Sequence, residues 1–118
     1  MLVVDDEESV RQALAKILHS FGFHVITADD GQDGINKFEA NEIDVVVTDL
    51  GLPGLSGWDV AEAVKTKSPG TPVVLLSGWD ISEDELRKRG TVARVLMKPV
   101  RIQDMVKVIR ELTGKTEG

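Results

Sequence analysis

The chain predicts an α/β fold, a doubly wound parallel sheet with helices on both faces, and three observations carry that prediction. Short apolar, β-branched runs alternate five times with stretches whose apolar residues recur at helical spacing. The runs are apolar at successive positions, the pattern of strands covered on both faces. Four of them end on a chemically active side chain: Met1-Leu2-Val3-Val4 runs into Asp5-Asp6, Val45-Val46-Val47-Thr48 into Asp49, Val73-Val74-Leu75-Leu76 into Ser77, and Val95-Leu96-Met97 into Lys98-Pro99. In open α/β sheets ligands bind beyond the carboxyl ends of the strands. Three carboxylates, a hydroxyl and an ammonium are therefore expected on one edge.

The elements follow in order. After the first strand, Asp6-Glu7-Glu8 reads as an acidic helix start, and Val10, Ala13, Leu14, Ile17, Leu18 and Phe21 mark one apolar face. Gly22 stops that helix, and Phe23-His24-Val25-Ile26-Thr27 is extended. Asp30, with Asp33 three residues on, opens a second helix that carries Ile35 and Phe38 and is weakened by Gly31 and Gly34. The third strand ends at Asp49, and the Gly51-Leu52-Pro53-Gly54 turn leads to a third helix, capped by Ser56, with Trp58, Val60, Ala61 and Val64 inward. Ser68-Pro69-Gly70-Thr71-Pro72 ends it. Ser82 and Glu85 read as a capping box, but the fourth helix, through Arg89, has only Ile81 and Leu86 as apolar anchors and is expected to be the least firmly docked. The last helix, residues 101 to 113, should bury Ile102, Met105, Val106, Ile109 and Leu112. One domain over residues 1–113 and a polar tail over 114–118 are expected.

Composition narrows the function classes. No run approaches the roughly 20 apolar residues of a membrane-spanning helix, and the N-terminal run is too short for a signal sequence, so a cytoplasmic protein is expected. The absence of cysteine excludes disulfides, thiolate metal sites and cysteine nucleophiles. A net charge of −6 argues against direct nucleic-acid binding through a basic face.

Clustered carboxylates repel one another unless a cation neutralises them. With only oxygen ligands near Asp5, Asp6 and Asp49, Mg2+ or Mn2+ suits the cluster better than Zn2+. Mg2+ commonly shares its shell with phosphate oxygens, so a phosphoryl group is the expected companion, with Lys98 balancing its charge and Ser77 donating to it. Each residue also has a plain structural reading: Asp49 as a turn former, Asp5-Asp6 as a helix cap, Lys98 as a solvated surface lysine, and Ser77 as a turn residue. Their joint occurrence at strand ends favours the chemical reading. His19 and His24 are assigned no role.

The motifs Leu2-Val3-Val4-Asp5-Asp6-Glu7, Asp49-Leu50-Gly51-Leu52-Pro53-Gly54 with Gly57 beyond, Ser77-Gly78 and Lys98-Pro99 stand in the order and spacing of a known family. The chain resembles the response-regulator receiver domain of bacterial two-component signalling along essentially its whole length. The resemblance implies a flavodoxin-like five-stranded parallel sheet of order 2-1-3-4-5. It further implies that Asp49 is the phosphoacceptor, taking a phosphoryl group from a sensor histidine kinase or histidine phosphotransferase. Asp6, Asp49 and the backbone carbonyl of Gly51 would bind the metal, Asp5 would act through water, and Ser77 and Lys98 would hold phosphoryl oxygens. The Lys98-Pro99 peptide would be cis. The resemblance also implies a regulatory module that acts only on its own phosphorylation, with an output partner or a homodimer on the face made by the fourth helix, fifth strand and fifth helix. The donor would dock beside Arg11, Gln12, Ala15 and the Pro99-Val100 loop.

Two departures stand out. Val95 occupies the position where the family usually has an aromatic residue, and residues 89–94 differ from the family's common pattern there. Three alternatives belong to other classes. A Mg-dependent phosphatase of haloacid dehalogenase type needs Asp-x-Asp after its first strand, where this chain has Asp5-Asp6-Glu7. A flavodoxin-like FMN module would place a phosphate against Asp5, Asp6, Glu7 and Glu8, which would repel it. A receiver-like interaction module without phosphorylation would not need the full acidic, hydroxyl and lysine set.

Overall fold

Strand and helix alternate as β1 (Leu2–Val4), α1 (Glu8–Ser20), β2 (Ile26–Ala28), α2 (Gly31–Ala40), β3 (Val46–Asp49), α3 (Gly57–Lys67), β4 (Val73–Ser77), α4 (Glu83–Arg89), β5 (Arg94–Met97) and α5 (Ile102–Thr113). The structure is a computed structural model that describes residues 1–114. Four of the residues expected in the polar tail therefore lie outside the described residues. All strand neighbours are parallel, in the order β2-β1-β3-β4-β5, with Val3 opposite both Thr27 and Val47. This is the expected doubly wound sheet.

Alternation along the central strands builds two cores. Met1, Val3, Val45, Val47, Val74 and Leu76 face Leu18 of α1 and Met105, Val106 and Ile109 of α5. Leu2, Val4, Val46 and Val73 face Phe38 of α2 and Val60, Ala61 and Val64 of α3. A third cluster of Leu50, Trp58 and Leu75 is covered by Ile81 and Leu86 around α4 and by Val92 and Val95. Every position of β3, including Thr48 and Asp49, is buried. Such a strand has no polar face, and its one charged residue falls at the end.

The structure departs from expectation at the apolar face of α1 and at the start of β2. On α1 only Leu18 is buried, whereas Val10, Ile17 and Phe21 are 39%, 40% and 40% exposed. The helix rests on the sheet and α5 through Leu14 and Leu18, and its apolar stripe is wider than the area they cover. β2 begins at Ile26 and not at Phe23, because the Phe23 amide bonds back to the Leu18 carbonyl at 3.3 Å and keeps the chain in the turn leaving α1.

Capping also falls differently. The full reciprocal box forms at α3, where Ser56 and Asp59 each satisfy the other's backbone. At α4, Ser82 accepts from the Glu85 amide at 3.1 Å, while the Glu85 carboxylate faces Arg89 at 3.7 Å. Gly34, expected to weaken α2, is where that helix meets β1: a Cβ there would stand 2.9 Å from a Val4 methyl carbon. Close approach of helix to sheet offsets the glycine's cost in helix propensity.

Candidate functional site

At the carboxyl edge of the sheet, β1, β3, β4 and β5 end within one pocket. Asp5, directly after β1, is 3% exposed, and Asp49, the last residue of β3, is 7% exposed. Asp6 is exposed at the rim. One carboxylate oxygen from each of the three lies within 4.8 Å of the others. The Lys98 ammonium, just past β5, stands 2.6 Å from Asp49 Oδ1. Lys98 is held there by its backbone, whose amide donates to the Ser77 carbonyl at 2.7 Å and so ties the ends of β4 and β5 together. The Lys98-Pro99 peptide is cis.

Burial pushes the Asp5 carboxyl above its ordinary value. The Glu7 amide, donating to Asp5 Oδ1 at 2.9 Å, works against that rise; Asp49 adds to it, Lys98 opposes it, and Asp6 adds to it least. The donor set fits a hard divalent cation: three carboxylates, oxygen ligands only, and Lys98 as the cation paired with Asp49. An acidic triad of this kind is typical of a magnesium site.

The site residues expected from the sequence fall into two groups. Asp5, Asp6, Asp49 and Lys98 come together directly. Ser77 is fully buried at the end of β4, but its hydroxyl is engaged in its own turn, accepting from the Trp79 amide at 3.1 Å and donating to the Trp79 carbonyl at 2.5 Å. Gly51 is exposed on the loop after Asp49, and the Trp79 ring comes within 4.0 Å of the position a Cβ on Gly51 would occupy.

Three supporting contacts were not anticipated from the sequence, although Gly57 stands in the motif that follows Asp49. The Thr48 hydroxyl donates to the Asp49 carbonyl at 3.1 Å, and the Arg11 guanidinium donates to the Asp5 carbonyl at 3.0 Å. Gly57 presses the start of α3 against the site: a Cβ there would lie 2.6 Å from the Asp49 carbonyl oxygen and 2.7 Å from a Leu75 methyl carbon. A small residue between a cap and an apolar helix face was the available signal for Gly57. Beside the carboxylates runs a groove of about 550 Å³, lined by Val10, Leu14, Leu76, Pro99, Val100 and Met105 together with Asp5 and Lys98. His19 and His24 are both exposed and outside the acidic cluster.

Comparison with known proteins converges on one family. Cell cycle response regulator CtrA of Brucella ovis is 29% identical over 119 residues, covering 100% of this chain and 51% of the relative. The chain thus spans about half the length of the curated relatives it matches. Among solved structures, a response regulator receiver domain protein from Clostridium thermocellum superposes with a TM-score of 0.88 at 32% identity, covering 97% of this chain and 93% of that one. The response regulator TrrA of Thermotoga maritima, solved in complex with Mg2+-BeF, gives 0.85 at 27% identity over 94% of this chain and 96% of that one. The family model for the response regulator receiver domain matches residues 1–110. Receiver domains are phosphoacceptor regulatory modules and not classical enzymes. With fold, acidic pocket and family match in agreement along its length, the chain belongs to the response regulator receiver domain family.

Proposed function

We propose that Asp49 is the phosphoacceptor, taking a phosphoryl group from a phosphohistidine on a sensor histidine kinase or histidine phosphotransferase in a reaction that requires Mg2+ or Mn2+. The observation that carries this reading is a nearly buried Asp49 carboxylate flanked by Asp5 and Asp6 within 4.8 Å and paired with Lys98 at 2.6 Å. A carboxylate oxygen of Asp49 attacks phosphorus, the bond to the imidazole nitrogen breaks, and the imidazole leaves, taking a proton from water. Lys98 turns from Asp49 toward the phosphoryl oxygens and balances their charge. The Ser77 hydroxyl leaves the Trp79 carbonyl and donates to one of them. Asp6, Asp49 and the Gly51 carbonyl would hold the cation, with Asp5 acting through water; when bound, it supplies the positive charge that lets a phosphoryl group approach three carboxylates. The Mg2+-BeF complex of the Thermotoga maritima relative supports this pairing.

The donor docks on the groove of Val10, Leu14, Pro99 and Val100, beside Arg11, Gln12 and Ala15. The output is a partner protein, a further domain, or a second copy meeting the face of α4, β5 and α5, where Met97 is 45% exposed. We place the domain at residues 1–113 and the protein in the cytoplasm; among the described residues no helix is long and apolar enough to cross a membrane.

Intact mass after incubation with acetyl phosphate tests the reading. One phosphoryl group should appear with magnesium and vanish with chelator or in Asp49→Asn. Equal labelling of Asp49→Asn would remove Asp49 as the acceptor. Lys98→Ala should still bind magnesium yet gain the group far more slowly, and wild-type kinetics would exclude Lys98 from the site.

A further inference from the structure

We propose that Arg89, stacked over Trp58, is a latch that holds α4 on α3 and opposes the phosphorylated arrangement of the site; the link to phosphorylation rests on the function proposed above. The Arg89 guanidinium lies 4.9 Å from the centre of the Trp58 ring, within cation–π range. The Glu85 carboxylate steadies it from one helical turn earlier, at 3.7 Å. A second tie comes from α3, whose Lys65 ammonium donates to the Gly90 carbonyl at the α4 C-cap at 2.6 Å. These contacts matter because α4 is short and most of its described side chains lie at the surface. It is 7 residues long, none of its described side chains is buried, and Leu86 with neighbouring Ile81 supplies apolar packing on Trp58, Leu50 and Leu75.

Trp58 is a fixed partner, whereas α4 is a movable one. Trp58 is 7% exposed in the first turn of α3, next to Gly57, which is in contact with the Asp49 carbonyl. The Gly57 amide donates to the Leu50 carbonyl at 3.0 Å, and the Leu50 amide to the Leu76 carbonyl at 2.9 Å. The start of α3 is thus built into the strand ends that carry Asp49 and Ser77. From Ser77 the chain reaches α4 through Gly78, Trp79, Asp80, Ile81 and Ser82. For Ser77 to donate to a phosphoryl oxygen, its hydroxyl must leave the Trp79 carbonyl, which releases that carbonyl and lets the turn shift. The displacement is passed along this short loop to α4. There it works against Arg89 on Trp58, so the latch and the phosphoryl group draw on the same equilibrium in opposite directions.

Arg89→Met keeps the aliphatic stem and removes the cation, and Arg89→Lys keeps a cation. Hydrogen exchange of the Leu86 and Gly90 amides, in the chain without metal, reads the latch alone. Arg89→Met should exchange there about two- to five-fold faster, the factor that a half-exposed cation–π contact supplies, with β1 and β3 unchanged. Unchanged exchange would overturn the latch. Titration with beryllofluoride and magnesium, followed by Trp79 emission, reads the coupling. Arg89→Met should reach its midpoint at a concentration lower by a similar factor, with Arg89→Lys between it and wild type. A midpoint equal to or above wild type in Arg89→Met would overturn the coupling, and Arg89→Lys matching Arg89→Met would overturn the role of the cation. A wild-type chain that neither gains a phosphoryl group nor responds to beryllofluoride would overturn the phosphoacceptor reading and the coupling with it, while exchange at Leu86 and Gly90 still decides the latch.

Discussion

Burial, more than any neighbouring charge, holds the Asp5 carboxyl above its ordinary value of 3.8, with Asp49 and Asp6 adding to the rise against the Glu7 amide and Lys98. A carboxyl raised in this way binds its proton more tightly folded than unfolded. It therefore lowers stability as pH climbs from the unfolded value through the raised folded one, and the loss is complete above both. Asp5→Asn, whose amide oxygen can still accept from Glu7, should raise the melting temperature of the metal-free chain at neutral pH, flatten that acid-side dependence and weaken magnesium binding. A lower melting temperature at neutral pH would contradict this sign. Gly57→Ala should cost about 1–3 kcal/mol, the usual range for overpacking, and slow phosphoryl gain by displacing the Asp49 carbonyl; chemical denaturation and labelling rates measure the two effects. Asp49, Asp5 and Lys98 were legible because each follows an apolar run. The contact at Gly57 was not, because it is tertiary and joins the helix to a strand end eight positions earlier. The present partner of Ser77 matches its plain reading as a turn residue: a hydroxyl takes what its own turn offers.

At the scale of elements, α4 is the part that tests how local stability relates to response. Loss of the Ser82 cap costs about 0.5–2 kcal/mol in helices generally. In Ser82→Ala that cost should show as faster hydrogen exchange within α4 and leave β1, β3 and α3 as they were; uniform loss of protection would mean that α4 unfolds only with the whole domain. Trp79, 57% exposed with its ring edge near Gly51, lies between the loops that follow β3 and β4. Beryllofluoride with magnesium should change emission in the wild type and in Trp58→Phe and much less in Trp79→Phe. The reverse dependence would place the principal motion around α3. Apolar spacing located α1, α2, α3 and α5, the Ser82 cap located α4, and the turn residues located nearly every boundary. What the spacing missed was how much of a stripe is covered: α1 carries six apolar positions in one pattern, and the sheet with α5 covers only the part around Leu14 and Leu18. Coverage depends on neighbours that a helix's own sequence does not specify.

For the whole molecule, the parallel order β2-β1-β3-β4-β5 places the ends of β1 and β3 side by side, and that juxtaposition turns scattered aspartates into one site. The carboxylates gathered there repel one another, so a cation that binds among them would stabilise the fold. Magnesium at a hundred times its dissociation constant should stabilise the chain by about 2.7 kcal/mol, and Asp6→Ala should lose most of that gain at the same concentration, as read by thermal denaturation. Strand order followed from the family resemblance and the alternation of elements, as did the expected docking place beside α1 and Pro99, whereas the groove itself took shape only once α1, β5 and α5 were packed. The most direct test is where the phosphoryl group goes. After incubation with acetyl phosphate and magnesium, borohydride reduction converts an aspartyl phosphate to homoserine, and peptide sequencing by mass spectrometry locates it. Homoserine should appear at position 49 alone, and none when magnesium is chelated; homoserine at Asp5 or Asp6, or at position 49 with magnesium removed, would contradict a magnesium-dependent Asp49 phosphoacceptor.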